Sequence, residues 1–140
     1  MKSLLLTRRR VSLGLGLATL TIMGASNAYA QSGLDTDSVT LDVARKEHES
    51  GKVTLIDIRE PQEHATGVAA GAQLLPMRQL AARLAEIPND PKRPVLLICN
   101  TQNRSSATFR FLRDKGYTNV RFVQGGMSEW VRRGWPLVKP

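Results

Sequence analysis

The sequence predicts an α/β fold in which a mostly parallel central sheet is flanked by helices. Two apolar runs, Val53-Thr54-Leu55-Ile56-Asp57-Ile58 and Val95-Leu96-Leu97-Ile98, are short and continuous, as expected of strands buried on both faces. Stretches with helical spacing of apolar residues lie between and after them, so strand and helix alternate along the chain. The connections are too short for anything but right-handed crossovers.

Each element has its own signal. Residues 42–50 read as a helix, although their apolar periodicity is poor. The first strand follows at residues 53–58. Residues 72–75, Ala-Gln-Leu-Leu, form a weaker strand stopped by Pro76. Leu80, Leu84 and Ile87 recur at i, i+4 and i+7, which predicts an amphipathic α-helix over 79–87 ended by Pro88. Val95–Ile98 is the strongest strand signal. A helix over 105–115 would place Ala107, Phe111 and Leu112 on one face, with Lys115 in its last turn and Gly116 just past its end. Val120–Val123 reads as a short strand and 127–133 as a closing helix. There is no internal repeat and no low-complexity stretch.

The N-terminus carries a different kind of information. Lys2, Arg8, Arg9 and Arg10 precede an uncharged apolar stretch, and Ala28-Tyr29-Ala30 supplies small residues where a signal peptidase reads them. A basic head, a short apolar middle and an A-x-A end make residues 1–30 a cleavable secretory signal. The apolar stretch is shorter than the ~20 residues that span a bilayer, so no stable membrane anchor is expected. Thr7-Arg8-Arg9-Arg10 hints at twin-arginine export, but Val11-Ser12-Leu13 fits that pattern poorly. The expected location is the periplasm or the exterior, with residues 31–37 as a flexible leader and residues 38–140 as one domain.

Cleavage changes the charge argument. The chain has 20 basic and 12 acidic residues, a net +8; four of the basic residues and none of the acidic ones lie in the signal, which leaves +4. Much of the basicity is therefore addressing, and nucleic-acid binding is not expected. Two histidines and one cysteine make no convincing metal set.

That one cysteine, Cys99, ends the apolar run Val95–Ile98 and opens the polar loop Asn100-Thr101-Gln102-Asn103-Arg104-Ser105. An exported cysteine without a partner in its chain is buried and inert, part of an intermolecular bridge, or a reactive thiol. The surroundings favour the third. In an open α/β sheet, ligands bind at the carboxyl ends of the strands, and Cys99 lies at that end, just before a helix. A tight loop there turns several N–H groups inward at the positive end of the helix, forming an anion-binding nest that favours thiolate over thiol. Arg104 sits at a helix start, where acids are preferred, so a role in gripping an oxyanion explains it better than a surface ion pair.

The loop from Cys99 to Ser105, with four residues between cysteine and arginine and a hydroxyl residue next, resembles the active-site loop of the rhodanese family. Three further stretches resemble that family in order: Leu55 to His64, Gly67-Val68-Ala69-Ala70-Gly71-Ala72, and Gln124-Gly125-Gly126-Met127-Ser128-Glu129-Trp130 with Gly134-Trp135-Pro136. The resemblance implies a parallel sheet flanked by helices and an activity of sulfur transfer without a cofactor. Cys99 would take a sulfane sulfur from a small donor such as thiosulfate. The persulfide, cradled by Asn100, Thr101, Gln102, Asn103, Arg104 and Ser105, would pass it to cyanide or a thiol, including a protein thiol. Related cysteine phosphatases have five residues between cysteine and arginine, so the loop length disfavours a phosphatase or arsenate reductase. A non-catalytic binding module of the same family is the other alternative, disfavoured by the presence of both Cys99 and Arg104.

Two departures from the family pattern bear on rate. Gln102 stands where many members have glycine, a position expected at positive φ, where a Cβ costs ~1–2 kcal/mol. Val68-Ala69-Ala70 replaces the common His-Ile-Pro. Asp57 and Arg59 read as braces of the turn beside the loop, His64 as a packed or capping residue, and Trp130 and Trp135 as packing.

Overall fold

A computed structural model describes residues 37–140. The expected signal, residues 1–30, and the expected leader up to residue 36 lie outside the described residues. Five strands form one parallel sheet: β1 (Ser38–Val39), β2 (Thr54–Asp57), β3 (Gln73–Leu74), β4 (Val95–Ile98) and β5 (Val120–Val123), in the order β1-β5-β4-β2-β3. Four helices accompany them: α1 (Leu41–Glu49), α2 (Pro61–His64), α3 (Asn103–Asp114) and α4 (Gly126–Arg132). The α/β expectation therefore holds.

The centre of the sheet explains the continuous apolar run. β4 pairs with β2 from Thr54↔Val95 to Asp57↔Ile98 and with β5 from Val95↔Val120 to Leu97↔Phe122. Its four residues are 0% exposed. Side chains alternate across a strand, and the two cores divide accordingly. Leu96 and Ile98 join Leu41, Ala44, Met127 and Trp130 under α1 and α4, whereas Val95, Leu97 and Cys99 join Phe109, Leu112, Leu80 and Ile87 under α3. That period places the Cys99 side chain on the α3 face.

Four elements differ from the sequence expectation. Residues 77–86 are not one α-helix but two 3-10 segments, Met77–Gln79 and Ala81–Glu86, with a non-helical Arg83. A 3-10 turn rises ~2.0 Å per residue against ~1.5 Å in an α-helix. Pro76 and Pro88 bound the segment, and the greater rise lets both Leu80 and Ile87 reach the core, each 3% exposed. The amphipathic face is right and the helix type is wrong.

The buried face of α3 is Ser105, Thr108, Phe109 and Leu112, with Phe111 37% exposed. The sheet decides this, because Phe109 packs at a tilt against Phe122 with ring centroids 5.6 Å apart. Gly116, with φ +92°, does follow the C-cap as expected. Finally, β1 and α2 were not anticipated. Two residues carry no periodicity, and β1 exists because Phe122 N–H donates to Asp37 O and Gln124 N–H to Val39 O.

Candidate active site

Cys99 lies one residue beyond β4 at the carboxyl edge of the sheet, where β2, β3, β4 and β5 all end. The loop from Asn100 to Gln102 connects it to α3. Asn100, Thr101, Gln102 and Asn103 are exposed, Arg104 is half-buried and Ser105 is fully buried. Structure thus brings all seven sequence-predicted residues into one turn around Cys99. The thiol itself is not open to solvent: Cys99 is 1% exposed. Its Sγ–H donates to Ser105 Oγ at 3.5 Å, and that hydroxyl donates to Gln102 O at 3.2 Å.

The loop is shaped from behind by α4. Met127 N–H donates to Cys99 O at 2.8 Å and Ser128 N–H to Asn100 O at 2.9 Å. These donors belong to the first turn of α4, where N–H groups have no partner within the helix. In a trans peptide the carbonyl and the next N–H point in opposite directions. Drawing the Cys99 and Asn100 carbonyls toward α4 therefore turns the Asn100 and Thr101 N–H groups to the other side of the loop. Among the described residues, no N–H from Asn100 to Ser105 has a protein acceptor. The loop therefore carries six N–H donors without protein acceptors, and two of them are turned away from α4, a helix to which the sequence reading assigned no part in the loop.

The approach of α4 requires glycine. Gly125 and Gly126 have φ of +80° and +60°. A Cβ on Gly126 would lie 2.5 Å from both Cys99 O and Asn100 O and closer still to Thr101 O. Gln102 closes the same seam, its Oε1 accepting from Gly125 N–H at 3.3 Å. Its φ is −154°, so the expected strain at positive φ is absent, and the side chain has a use that glycine would not have.

Arg104 departs most from expectation. Its Nη1 and Nη2 donate to Glu63 Oε2 and Oε1, each at 2.7 Å. Both side chains are about one-third exposed, 33% for Arg104 and 30% for Glu63. The guanidinium holds the Glu63 carboxyl down at about 2, against a smaller opposing push from burial. Glu63 in turn raises the Arg104 pKa, with smaller contributions from Cys99 and Glu60. A basic residue at this helix start therefore has an ion-pair partner, which the sequence reading had set aside. Glu63 is the functional neighbour that reading missed. The signal was available in Glu60-Pro61-Gln62-Glu63, a capping-box pattern with proline at the first helical position: Glu60 N–H donates to Glu63 Oε2 at 2.9 Å.

Beneath Glu63 the turn is braced as expected. Arg59 donates to Asp57 through its backbone N–H, Nε and Nη2, and Nη2 also reaches Gly67 O at 2.9 Å. Asp57 is 0% and Arg59 4% exposed, so each buried charge has its counterpart. His64 is buried with Nε2 3.2 Å from Asp57 O. Trp130 is buried and meets the half-buried Trp135 edge-on, ring centroids 5.0 Å apart. The described residues contain no cluster of metal-ligating side chains, and none of their helices is long and apolar enough to cross a membrane.

Residues 40–133 match the rhodanese-like domain family. The chain belongs to that family. A protein of Allochromatium vinosum named a sulfurtransferase is 36% identical over 107 residues, covering 76% of this chain and 94% of its own. An uncharacterized protein of Bacillus subtilis is 35% identical over 115 residues, covering 81% of this chain and 85% of its own. Among solved structures, a rhodanese-related protein of Thermoplasma volcanium superposes with a TM-score of 0.66 at 28% identity, covering 74% of this chain and 99% of that one. The rhodanese-like match takes in Cys99, its loop, Glu63 and the Gly125–Gly126 turn, so all of the geometry above lies inside it. A surface hollow of this rhodanese-like domain, about 480 Å³ between α1 and Trp135, is lined by no residue of the loop.

Proposed function

We propose that the chain is a sulfurtransferase that cycles between a Cys99 thiolate and a Cys99 persulfide. The observation that carries this reading is the loop itself: a cysteine and an arginine separated by four residues, with six backbone N–H groups free of protein acceptors. The Cys99 thiolate attacks the sulfane sulfur of the donor. The donor S–S bond breaks, its leaving group departs with the electron pair, and the new S–S bond is on Cys99. An outside nucleophile, a thiol or cyanide, then takes the outer sulfur and returns the thiolate. Both anionic states are stabilised by free N–H donors at the start of α3. Ser105 serves both protonation states, since its hydroxyl accepts from the thiol and can rotate to donate to the thiolate.

The role of each loop residue belongs to this proposal: Cys99 as nucleophile, Asn100 to Asn103 and Ser105 as the cradle, and Arg104 as a cation held in place by Glu63. Burial of Cys99 at 1% exposure favours one alternative, a module of the same fold that binds and does not turn over. Intact-protein mass spectrometry separates the two. Incubation with a sulfane-sulfur donor and no acceptor should leave a species heavier by one sulfur atom on the Cys99 peptide, and cyanide should remove it. Cys99→Ser should keep the fold and lose the adduct. Turnover without any modification of Cys99 would sink the covalent cycle.

We also place this activity outside the cytoplasm, on the strength of the basic head, apolar middle and Ala28-Tyr29-Ala30 end. N-terminal sequencing of protein from the exporting cell should begin at Gln31. An intact Met1 in a membrane fraction would overturn this placement.

A further inference from the structure

Two independent features of the mouth agree on one class of sulfur donor. The first is charge. Arg104 faces Glu63 through two hydrogen bonds of 2.7 Å each and lies in the field of Glu60 as well. Arg59, the other cation of this corner, is bound to Asp57. Three carboxylates thus stand against two guanidiniums, and a dianion such as thiosulfate would approach a cation that is already compensated.

The second feature is an apolar groove. Arg104, Ala107, Thr108 and Phe111 recur at i, i+3, i+4 and i+7 and share one side of α3. One helical turn past Arg104, ~5 Å along the axis, that side faces the 3-10 segments across a hollow of about 240 Å³ lined by Met77, Leu80, Ala81, Ala107, Thr108 and Phe111. Met77 and Phe111 are each 37% exposed. The one polar atom of these side chains, Thr108 Oγ1, is buried without a hydrogen-bond partner. None of the loop residues lines this hollow, but it opens on the same side of α3 one turn past Arg104, and its apolar lining suits an apolar body attached to the reacting sulfur.

We infer that the donor is an organic persulfide, R–S–SH, whose apolar R group lies in the Met77–Leu80–Phe111 groove, and that inorganic thiosulfate is a poor substitute. The inference rests on the sulfurtransferase reading. The step balances: the Cys99 thiolate attacks the outer sulfur, the R–S to S bond breaks, RS⁻ leaves with the electron pair, and Cys99 carries S–SH.

Thiosulfonates deliver the same sulfane sulfur with a sulfinate as leaving group, and they vary R at constant charge. The experiment compares thiosulfate, methanethiosulfonate and benzenethiosulfonate as donors, reading the single-turnover rate at which Cys99 gains one sulfur atom. Benzenethiosulfonate should load roughly tenfold faster than methanethiosulfonate, the gain expected from burying part of a phenyl ring, and thiosulfate should be slowest. Phe111→Asp and Met77→Glu change exposed side chains, and each should bring the benzene-to-methane ratio down toward one. Comparing ratios between variant and wild type cancels the intrinsic reactivity of the donors. Glu63→Gln should raise thiosulfate loading relative to methanethiosulfonate, because it uncovers the Arg104 charge. Equal loading by all three donors, or a ratio that survives Phe111→Asp, leaves the sulfurtransferase reading standing and overturns the donor assignment. Loading by none of them sinks both.

Discussion

Gly126→Ala is the sharpest test of how α4 shapes the loop. Alanine at φ +60° carries ~1–2 kcal/mol of backbone strain. Its Cβ would lie 2.5 Å from the Cys99 and Asn100 carbonyl oxygens, so α4 and the loop must separate. Separation breaks the hydrogen bonds from Met127 N–H and Ser128 N–H to those carbonyls, each worth ~0.5–1.5 kcal/mol. The sum is ~2–5 kcal/mol, a large share of the ~5–15 kcal/mol that holds a domain together. Gly116→Ala is the matched control: its φ is +92°, yet a Cβ there meets nothing within 4 Å. It should cost only the ~1–2 kcal/mol of strain. Urea denaturation measures both, and the rate of sulfur loading on Cys99 shows whether the nest survives. Gly126→Ala should lose more stability than the control and should lose loading as well, because freed carbonyls allow the loop amides to turn. Equal stability losses with unchanged loading would refute the idea that α4 orients the loop.

Three further outcomes follow from the same contacts. Asp57→Ala leaves Arg59, 4% exposed, as an unpaired buried cation and should cost ~3–5 kcal/mol by denaturant titration; a loss below ~1 kcal/mol would mean that water reaches the site. Glu63 is depressed from 4.5 to about 2 in the folded chain, so its stabilisation is complete above pH 4.5 and is lost as pH falls toward about 2. Solvent screening of this pair, about one-third exposed, reduces the effect to ~1 kcal/mol. The stability gap between wild type and Glu63→Gln should therefore close between those pH values, and a constant gap would contradict the ion pair. Cys99 is the chain's single cysteine, so a thiolate oxidised there has no resolving partner. Prolonged peroxide should abolish sulfur loading on Cys99 irreversibly, and prior loading with sulfur should protect it; full recovery in a thiol reductant after treatment of the unloaded form would argue against this.

Fold and site were legible to different depths. The β4 strand could be read to the residue, because a strand paired on both edges and covered on both faces must be apolar throughout. α1 was legible only in outline, and its weak pattern has a cause: Leu41 and Ala44 are its only buried side chains. The 3-10 character of 81–86 was not legible: the spacing of Leu80, Leu84 and Ile87 suits either helix type, and the distance to be covered between Pro76 and Pro88 decides. The face of α3 was misread for a related reason. Ser105 and Thr108 are polar by composition and buried by position, and only the docking of Phe109 on Phe122 reveals it.

By itself the sequence determined that a lone cysteine ends a central strand, that four residues separate it from an arginine, and that a hydroxyl follows. These are local facts, settled by chain order and strand period. Only the tertiary structure decided what surrounds them. Glu63 is 41 residues from Arg104 and Gly126 lies well beyond Cys99 in the chain, yet these two set the charge of the site and the direction of its amides. Such contacts depend on which loops the parallel crossovers bring to the carboxyl edge of the sheet, and that adjacency exists only once the sheet has formed.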